Sequence, residues 1–492
     1  MTTRTFTPED QMAFAKLSGD FNPLHIDALA ARRLMFGSTV VHGVHALLWA
    51  LDCCFSDSCL LSPVAEGREA FFELQSVKAF FAKPIKVGDE VHLSQKDKGD
   101  GRFSINLSIN GVTMTKIDVA LRLNEALRQD EQLRQDEPRR FDYVKTDVPP
   151  KIEPLNLSEE DIEQDSGSLD LFLNEALATQ LLPNVVKYLS PVQVAVILSS
   201  TRLVGVMCPG LRSLYSEIEL KATEPNEKTS LNYEVSKLDK RFGLAHLKLE
   251  APDMVGTIKA FHRPEALEQP GYLSIKEQVD NQEFADQRAL IIGGSRGLGE
   301  VAAKILCAGG ADVKVTYHQG KDDALQIVKD IASNGGIVDS LQFDVLNPEL
   351  DEDLMADWQP THLYYFATPF IFSGVNGVFS RDLFEKFCNY YVLGFINSVN
   401  ALKSTGLKRI FYPSTVAIDE LPSSMGEYVV SKAASEMLCE FIEKNHKGTI
   451  IHKPRFPRVA TDQTTSMMPV DNQDPVPLMI DHLRTFRELS KS

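Results

Sequence analysis

The first 125 residues hold two clear patterns. Gly43 to Phe55 (GVHALLWALDCCF) is apolar almost throughout and predicts a buried helix. From about Ala70 to Leu123 the chain alternates. VKAFFAKPIKVGDEVHLS contains β-rich runs broken by a Pro and a Gly-Asp, and FSINLSINGVTMTKIDVALRL has an Asn-Gly turn between alternating segments. A helix followed by antiparallel strands predicts an α+β domain over 1–125. Residues 169–265 repeat the plan. Val192 to Met207 reads as an apolar helix ended by Cys208-Pro209-Gly210, and LRSLYSEIELKAT, SLNYEVSKLD, LAHLKLEA and MVGTIKAFHRP read as strands. The repetition implies a duplicated fold, without visible identity between the halves. Between them, 126–168 reads as a linker. Its charged near-repeat LRQDEQLRQDEP predicts a short solvated helix, and the acidic PPKIEPLNLSEEDIEQDSGS an extended connector.

From about Arg288 strands and helices alternate: ALIIGG, EVAAKILCAGG, DVKVTYH, DALQIVKDIASNGG, then IVDSLQFDV and HLYYFATP. Strand runs apolar on both faces, separated by helices, predict an α/β domain over 280–492 with a doubly wound parallel sheet. The fold class is therefore multidomain, α+β followed by α/β.

Composition narrows the function classes. A chain of 492 residues matches about three domains. Its net charge of −17 argues against nucleic acid or an anionic membrane as a general partner. The cysteines at 53, 54, 59, 208, 307, 388 and 439 are odd in number and contain no CxxC pair. That pattern fits thiols in a reducing compartment better than disulfides or a metal site, and no metal is expected. The first nineteen residues lack an apolar signal-peptide core, and Val192 to Met207 is too short to span a bilayer and contains Arg202. A cytoplasmic enzyme is the expectation.

Candidate chemistry is concentrated first in FAKLSGDFNPLHIDALAARRLMFGSTVVHGVHALL, Phe14 to Leu48. This run resembles the MaoC-like (R)-specific enoyl-CoA hydratases, which have a hotdog fold. The aromatic-Ala, Ser, Asp, Asn-Pro, His and Asp, then His-Gly, are nearly complete, and AKPIKVGDEV resembles that family's strand pair. The resemblance covers about the first quarter of the chain and implies acid/base roles for Asp20 and His25. It also implies a site-ordering role for Asn22 and an oxyanion-hole role for Gly43. The physical requirements agree. Adding water across a C2–C3 double bond needs a base for the water, an acid for C2 and donors for the enolate oxygen. A carboxylate and an imidazole sharing one water meet the first two. Pro23 stiffens the turn between them. Gly43 opens the apolar helix, so its N–H stands at the positive end of the dipole with no side chain in the way. The competing reading makes Asp20 a turn cap and His25 a packed histidine; the complete run outweighs it. Arg32 and Arg33 read equally as contacts for coenzyme A phosphates or an acidic carrier protein and as a solvated helix face. The middle region lacks the run and is expected to be a second, non-catalytic hotdog that shapes an acyl tunnel, with Cys208 and His262 structural.

The second candidate site begins at IGGSRGLGE, where Gly293, Gly297 and Gly299 form G-x-x-x-G-x-G between a strand and a helix. Backbone N–H groups there can hold a pyrophosphate. Tyr428 and Lys432 form Y-x-x-x-K on a predicted helix, with Ser414 and Thr415 upstream in RIFYPST. These motifs resemble the short-chain dehydrogenase/reductases. The resemblance implies that Tyr428 protonates a ketone oxygen and that Lys432 lowers the Tyr428 pKa and holds a nicotinamide ribose. It implies that Thr415, or Ser414 as the alternative, polarises the carbonyl. Cofactor contacts are expected from Gly293, Ser295, Arg296, Gly297, Leu298, Gly299, Asp344, Val345, Lys432 and Thr461. The strand DVKVTYH ends in Tyr317-His318 without an acid for a ribose 2′-hydroxyl, and Arg296 with Lys321 offers charge for a 2′-phosphate, which favours NADP(H) over NAD. Three positions depart from the family pattern: Tyr365-Phe366-Ala367-Thr368 for its Asn-Asn-Ala-Gly, Tyr391 for its helix asparagine, and Ile292 before the first glycine.

Together these imply a bifunctional enzyme on acyl-CoA or acyl-carrier-protein thioesters. It would be a hydratase/dehydratase and an NADPH-dependent 3-oxoacyl reductase, with homo-oligomerisation through the reductase domain left open. The alternatives are a hydratase with a reductase-like domain that only binds dinucleotide, and an acyl-chain or carrier-protein binding module.

Overall fold

Residues 2–56, 72–123, 143–348 and 357–491 are described in a computed structural model. The chain divides into two compact units, Met1–Ala31 with Ser38–Glu265, and Arg32–Gly37 with Ala266–Ser492.

The alternating segments of the first unit form β1 (Thr2–Thr5), β2 (Phe72–Phe81), β3 (Glu90–Gly99), β4 (Arg102–Ile109), β5 (Val112–Leu123), β6 (Ser166–Asp170), β7 (Ser213–Ala222), β8 (Ser230–Asp239), β9 (Leu244–Glu250) and β10 (Met254–His262). They make one ten-stranded sheet in the order β1-β3-β4-β5-β2-β7-β10-β9-β8-β6. The two five-stranded halves meet where β2 and β7 run antiparallel, from Ser76 opposite Lys221 to Phe80 opposite Glu217. The Asn110-Gly111 turn between β4 and β5 has φ of 49° and 77°, the left-handed pair that a tight hairpin requires. Each half adds one apolar helix, Gly43–Ser56 and Pro191–Arg202, and both bury their side chains in one core shared with the sheet.

Two expectations are corrected here. The helix predicted over Val192 to Met207 is α-helical only to Arg202 and closes in a π-helical turn, Leu203–Met207. The wider turn is fixed by Cys208 N–H on the Leu203 carbonyl and Gly210 N–H on the Val204 carbonyl. The expected linker 126–168 is not a plain connector at its far end. Glu159–Glu163 is a helix capped by Ser158, and Ser166 already pairs with β8. Ile162 and Leu169 are buried, so this acidic stretch carries two core anchors. Residues 126–142 lie outside the described residues.

The second unit contains β11 (Arg288–Ile292), β12 (Asp312–Tyr317), β13 (Ile337–Gln342), β14 (His362–Tyr365), β15 (Arg409–Phe411), β16 (Ser414–Thr415), β17 (Ile450–His452) and β18 (Arg455–Phe456). Six of them form a parallel sheet in the order β13-β12-β11-β14-β15-β17. Ala289 and Ile291 enter one core cluster while Leu290 and Ile292 enter another, so alternate side chains of β11 are buried on opposite faces. The strand order reverses between β11 and β14, the kind of switch point at whose carboxyl ends open α/β sheets bind ligands. Among the described residues no helix is long and apolar enough to cross a membrane.

Candidate active sites

The first site is a turn. The helix Pro8–Ser18 stops at Gly19, whose φ of 80° needs no Cβ, and Asn22 then caps the short helix Pro23–Ile26 by accepting from the Leu24 N–H. Asp20 is thereby held between two structured ends. Its Oδ1 accepts from Asn22 N–H at 3.2 Å, and its Oδ2 accepts from the Thr201 hydroxyl at 2.7 Å. His25 Nδ1 lies 2.8 Å from the Val40 carbonyl. A carbonyl only accepts, so Nδ1 donates and Nε2 of the neutral ring keeps its lone pair for chemistry. His42 stacks on His25 with centroids 3.8 Å apart. Its own nitrogens lie 2.9 Å from Gln11 Oε1 and 3.0 Å from the Asp20 carbonyl.

Burial raises the Asp20 carboxyl above its ordinary range; His25, the Thr201 hydroxyl and the Asn22 N–H pull it back. Burial lowers His25, and Asp20 opposes that shift. Asp20 is buried and His25 partly buried, so the two titratable groups meet where one side still reaches solvent. Gly43 starts its helix with an N–H that has no partner inside the helix, and an added Cβ would lie 3.0 Å from the Phe81 ring. Ligand atoms of Asp20, His25 and His42 all lie within 4.8 Å of one another. Both His42 nitrogens face oxygens of the protein.

Sequence reasoning missed Thr201 and the 205–211 segment. Asn22 Nδ2 donates to the carbonyls of Gly205, Gly210 and Leu211 at 2.9, 3.2 and 3.2 Å. Arg32 and Arg33, both in the second unit, pair with Asp323, a protein carboxylate in place of the expected phosphate or open solvent.

In the second unit the glycine loop follows β11. Gly293 has φ 79°, and a Cβ there would lie 2.7 Å from Ala367 N; at Gly299 it would lie 2.3 Å from the Gly293 carbonyl. Thr316, at the end of β12, accepts from Gly293 N–H at 3.1 Å and steadies the loop, a contact the sequence did not signal. The helix Gly297–Ala308 begins at Arg296 without a side-chain cap, so its first N–H groups are free for an anion. Ser295 and Thr461 are buried, and Leu298 packs against a core cluster. Arg296 is bonded to Asp462, so the charge expected to meet a 2′-phosphate is shared with a carboxylate. Asp344 accepts from Leu346 N–H at 2.9 Å and Asn347 Nδ2 at 3.2 Å, closing its own turn beside the buried Val345.

Tyr428 and Lys432 share the helix Gly426–Asn445, both buried. The Thr415 hydroxyl hydrogen-bonds Tyr428, whereas Ser414 donates to Glu436. Thr415 therefore stands at the tyrosine and Ser414 does not. The expected lowering of Tyr428 is absent. Burial pushes it up to about 12 against the pull of Thr415. Burial also brings Lys432 down to about 7. The cause is the position of the ammonium: Lys432 Nζ donates to the Pro413 carbonyl at 2.8 Å and lies over the rings of Tyr391 and Tyr412, 4.2 and 4.7 Å from their centroids. Tyr391, the residue in the place of the helix asparagine, lies in a π-helical turn, Asn389–Gly394, and its hydroxyl hydrogen-bonds Thr368.

Parts of the chain are similar to known proteins. Residues 1–116 match the family described as MaoC like domain. The chain is 39% identical over 89 residues to an (R)-specific enoyl-CoA hydratase of Aeromonas caviae, covering 18% of this chain and 60% of that protein. It is 26% identical over 166 residues to a 3-oxoacyl-[acyl-carrier-protein] reductase of Synechocystis, covering 34% of this chain and 54% of that protein. In both cases the match spans less than two thirds of the relative's own length. A short-chain dehydrogenase from Burkholderia cenocepacia J2315, solved in complex with NADP, aligns with 41% of this chain and 91% of its own at 22% identity and a TM-score of 0.36. The chain thus carries a MaoC-like dehydratase domain at its N-terminus and is similar over its C-terminal part to short-chain dehydrogenases/reductases.

Proposed function

We propose that this chain is a bifunctional acyl-thioester enzyme that interconverts (R)-3-hydroxyacyl and trans-2-enoyl thioesters in its first unit and reduces 3-oxoacyl thioesters with NADPH in its second. The observation that carries the proposal is the Asp20–His25 pair, Asp20 buried and His25 partly buried, with Nδ1 of His25 committed to Val40 and Nε2 left for a shared water. In hydration one member of the pair takes the proton of that water and the other delivers a proton to C2. The Gly43 N–H, at a helix N-terminus, offers a donor to the thioester oxygen as it gains charge. The two five-stranded halves of the first unit are read as a double hotdog, with domains at 1–125 and 169–265.

In the second unit the residues fit a dinucleotide. The space at Gly293 and Gly299 is filled by backbone, and the Gly297–Ala308 helix has free N–H groups at its start. NADPH seated there supplies the hydride. Tyr428 delivers the proton to the ketone oxygen, Thr415 hydrogen-bonds that tyrosine, and Lys432 bears the charge beside it. NADP(H) is preferred to NAD because Tyr317-His318 offers no acid to a 2′-hydroxyl. A cytoplasmic setting is proposed from Cys208, Cys307 and Cys439, which are core thiols in no disulfide. Homo-oligomerisation through the second unit is proposed from Val430, Met437 and Phe441, an exposed apolar stripe along the Gly426–Asn445 helix at 46%, 66% and 61% exposure.

A second reading is favoured by the state of Tyr428 and Lys432 and by Tyr391. In it the second unit binds dinucleotide without turning it over. A panel of enoyl and 3-oxoacyl groups on coenzyme A and on a carrier protein separates the two. NADPH oxidation with a 3-oxoacyl thioester supports the bifunctional enzyme; tight NADPH binding without oxidation supports the second reading.

A further inference from the structure

We propose that the half of the first unit without the catalytic run is a working part of the hydratase site: Thr201 is a positioning residue that holds Asp20, and the 205–211 segment is the cradle that holds Asn22. The inference rests on the hydratase reading above.

Asp20 is 1% exposed, so its oxygens must find donors inside the protein. Asn22 N–H supplies one from the same turn. The other comes from Thr201, the penultimate residue of the Pro191–Arg202 helix, at 2.7 Å on Oδ2. A hydroxyl donating to one oxygen fixes the carboxylate plane and leaves its remaining lone pairs for water.

The cradle is equally specific. The π-helical turn Leu203–Met207 widens the backbone and turns the Gly205 carbonyl toward Asn22. Gly205 leaves no room for another residue: an added Cβ would lie 2.1 Å from Asp20 Oδ1. The Leu211 carbonyl accepts from both Asn22 Nδ2 at 3.2 Å and Arg263 Nη2 at 2.9 Å. Arg263 also donates Nε to the Ser213 carbonyl at 3.0 Å, which ties the segment to β7. The Thr201 and Asn22 contacts join the two halves, the Arg263 contacts hold the segment within its own half, and together they set where Asp20 and Asn22 stand. Neither half carries a complete site.

The test compares Thr201→Val and Thr201→Ser with the wild-type full chain, using trans-2-butenoyl coenzyme A as the probe and following its hydration across pH. Valine keeps the β-branched shape and removes the hydroxyl; serine keeps the hydroxyl. Thr201→Val is expected to lower kcat about 10-fold with little change in KM, the scale of a lost hydrogen bond to a charged group. Without its donor Asp20 is harder to ionise, so the acid limb of the rate profile moves up by about one pH unit. Thr201→Ser is expected to restore both. A merely structural threonine would change folding stability and leave the acid limb in place. Should Thr201→Val not fold, Thr201→Ala against Thr201→Ser reads the same contrast. An active wild type whose hydroxyl-free variant keeps wild-type kcat and acid limb overturns this inference alone. A wild type that hydrates no enoyl thioester, on coenzyme A or a carrier protein, overturns the hydratase reading and this inference with it.

Discussion

At the scale of single residues, the two sites solve opposite problems. Asp20 is buried but surrounded by donors, so it can ionise where it stands. Asp20→Asn is expected to lower enoyl-thioester hydration by about a hundredfold or more, measured as loss of the conjugated thioester absorbance, while NADPH binding is unchanged. Lys432 is buried, its ammonium on a carbonyl and over two aromatic faces, and burial outweighs the pull of Cys439 and Glu436 so that its pKa falls to about 7. A lysine shifted this way is charged below that pH and loses its charge as pH rises through it. The kcat/KM for 3-oxoacyl reduction reports the free enzyme and is expected to decline as pH rises through about 7. Lys432→Met is expected to abolish reduction without lowering the melting temperature, because it removes a buried charge whose desolvation outweighs its attraction to Glu436.

At the scale of elements, what was legible in the sequence follows distance along the chain. Asp20, Asn22 and His25 sit within one turn, so their chemistry can be read from a short run. The apolar runs also foretold the Gly43–Ser56 helix, the strands β2 to β5 and β7 to β10, and the parallel strands β11 to β14 of the second unit, though not the edge strand β17. Thr201 could not be read this way. It reaches Asp20 across 181 residues, on a helix whose apolar pattern announces only burial. The π-helical turn after it was hidden too, because LVGVM continues an apolar run and the widening is imposed by Cys208 and Gly210 beyond it. Thr415 was preferred with its neighbour Ser414 as the alternative, and the facing elements bring Thr415 to Tyr428 and Ser414 to Glu436. Two glycine substitutions test this scale. Gly205→Ala is expected to displace Asp20 and cost about a hundredfold in hydration while the protein still folds, judged by thermal unfolding. Gly299→Ala, with its Cβ 2.3 Å from the Gly293 carbonyl, is expected to weaken NADPH binding measured by titration calorimetry.

At the scale of the whole molecule, the two proposed reactions share a compound: the (R)-3-hydroxyacyl thioester would be the product of one and the substrate of the other. The apolar stripe on the Gly426–Asn445 helix adds an assembly expectation. Phe441→Glu should lower the sedimentation coefficient to that of a monomer if this face joins copies of the chain. The most direct test of the central claim is product analysis. The wild type is incubated with a 3-oxoacyl thioester and NADPH, and the acyl groups are followed by mass spectrometry beside Asp20→Asn and Tyr428→Phe. The account expects the wild type to oxidise NADPH and accumulate both 3-hydroxyacyl and enoyl thioesters. Asp20→Asn should stop at the 3-hydroxyacyl stage, and Tyr428→Phe should leave the 3-oxoacyl group untouched. Enoyl thioester formed equally well by Asp20→Asn, or NADPH bound by the wild type and never oxidised, would contradict it.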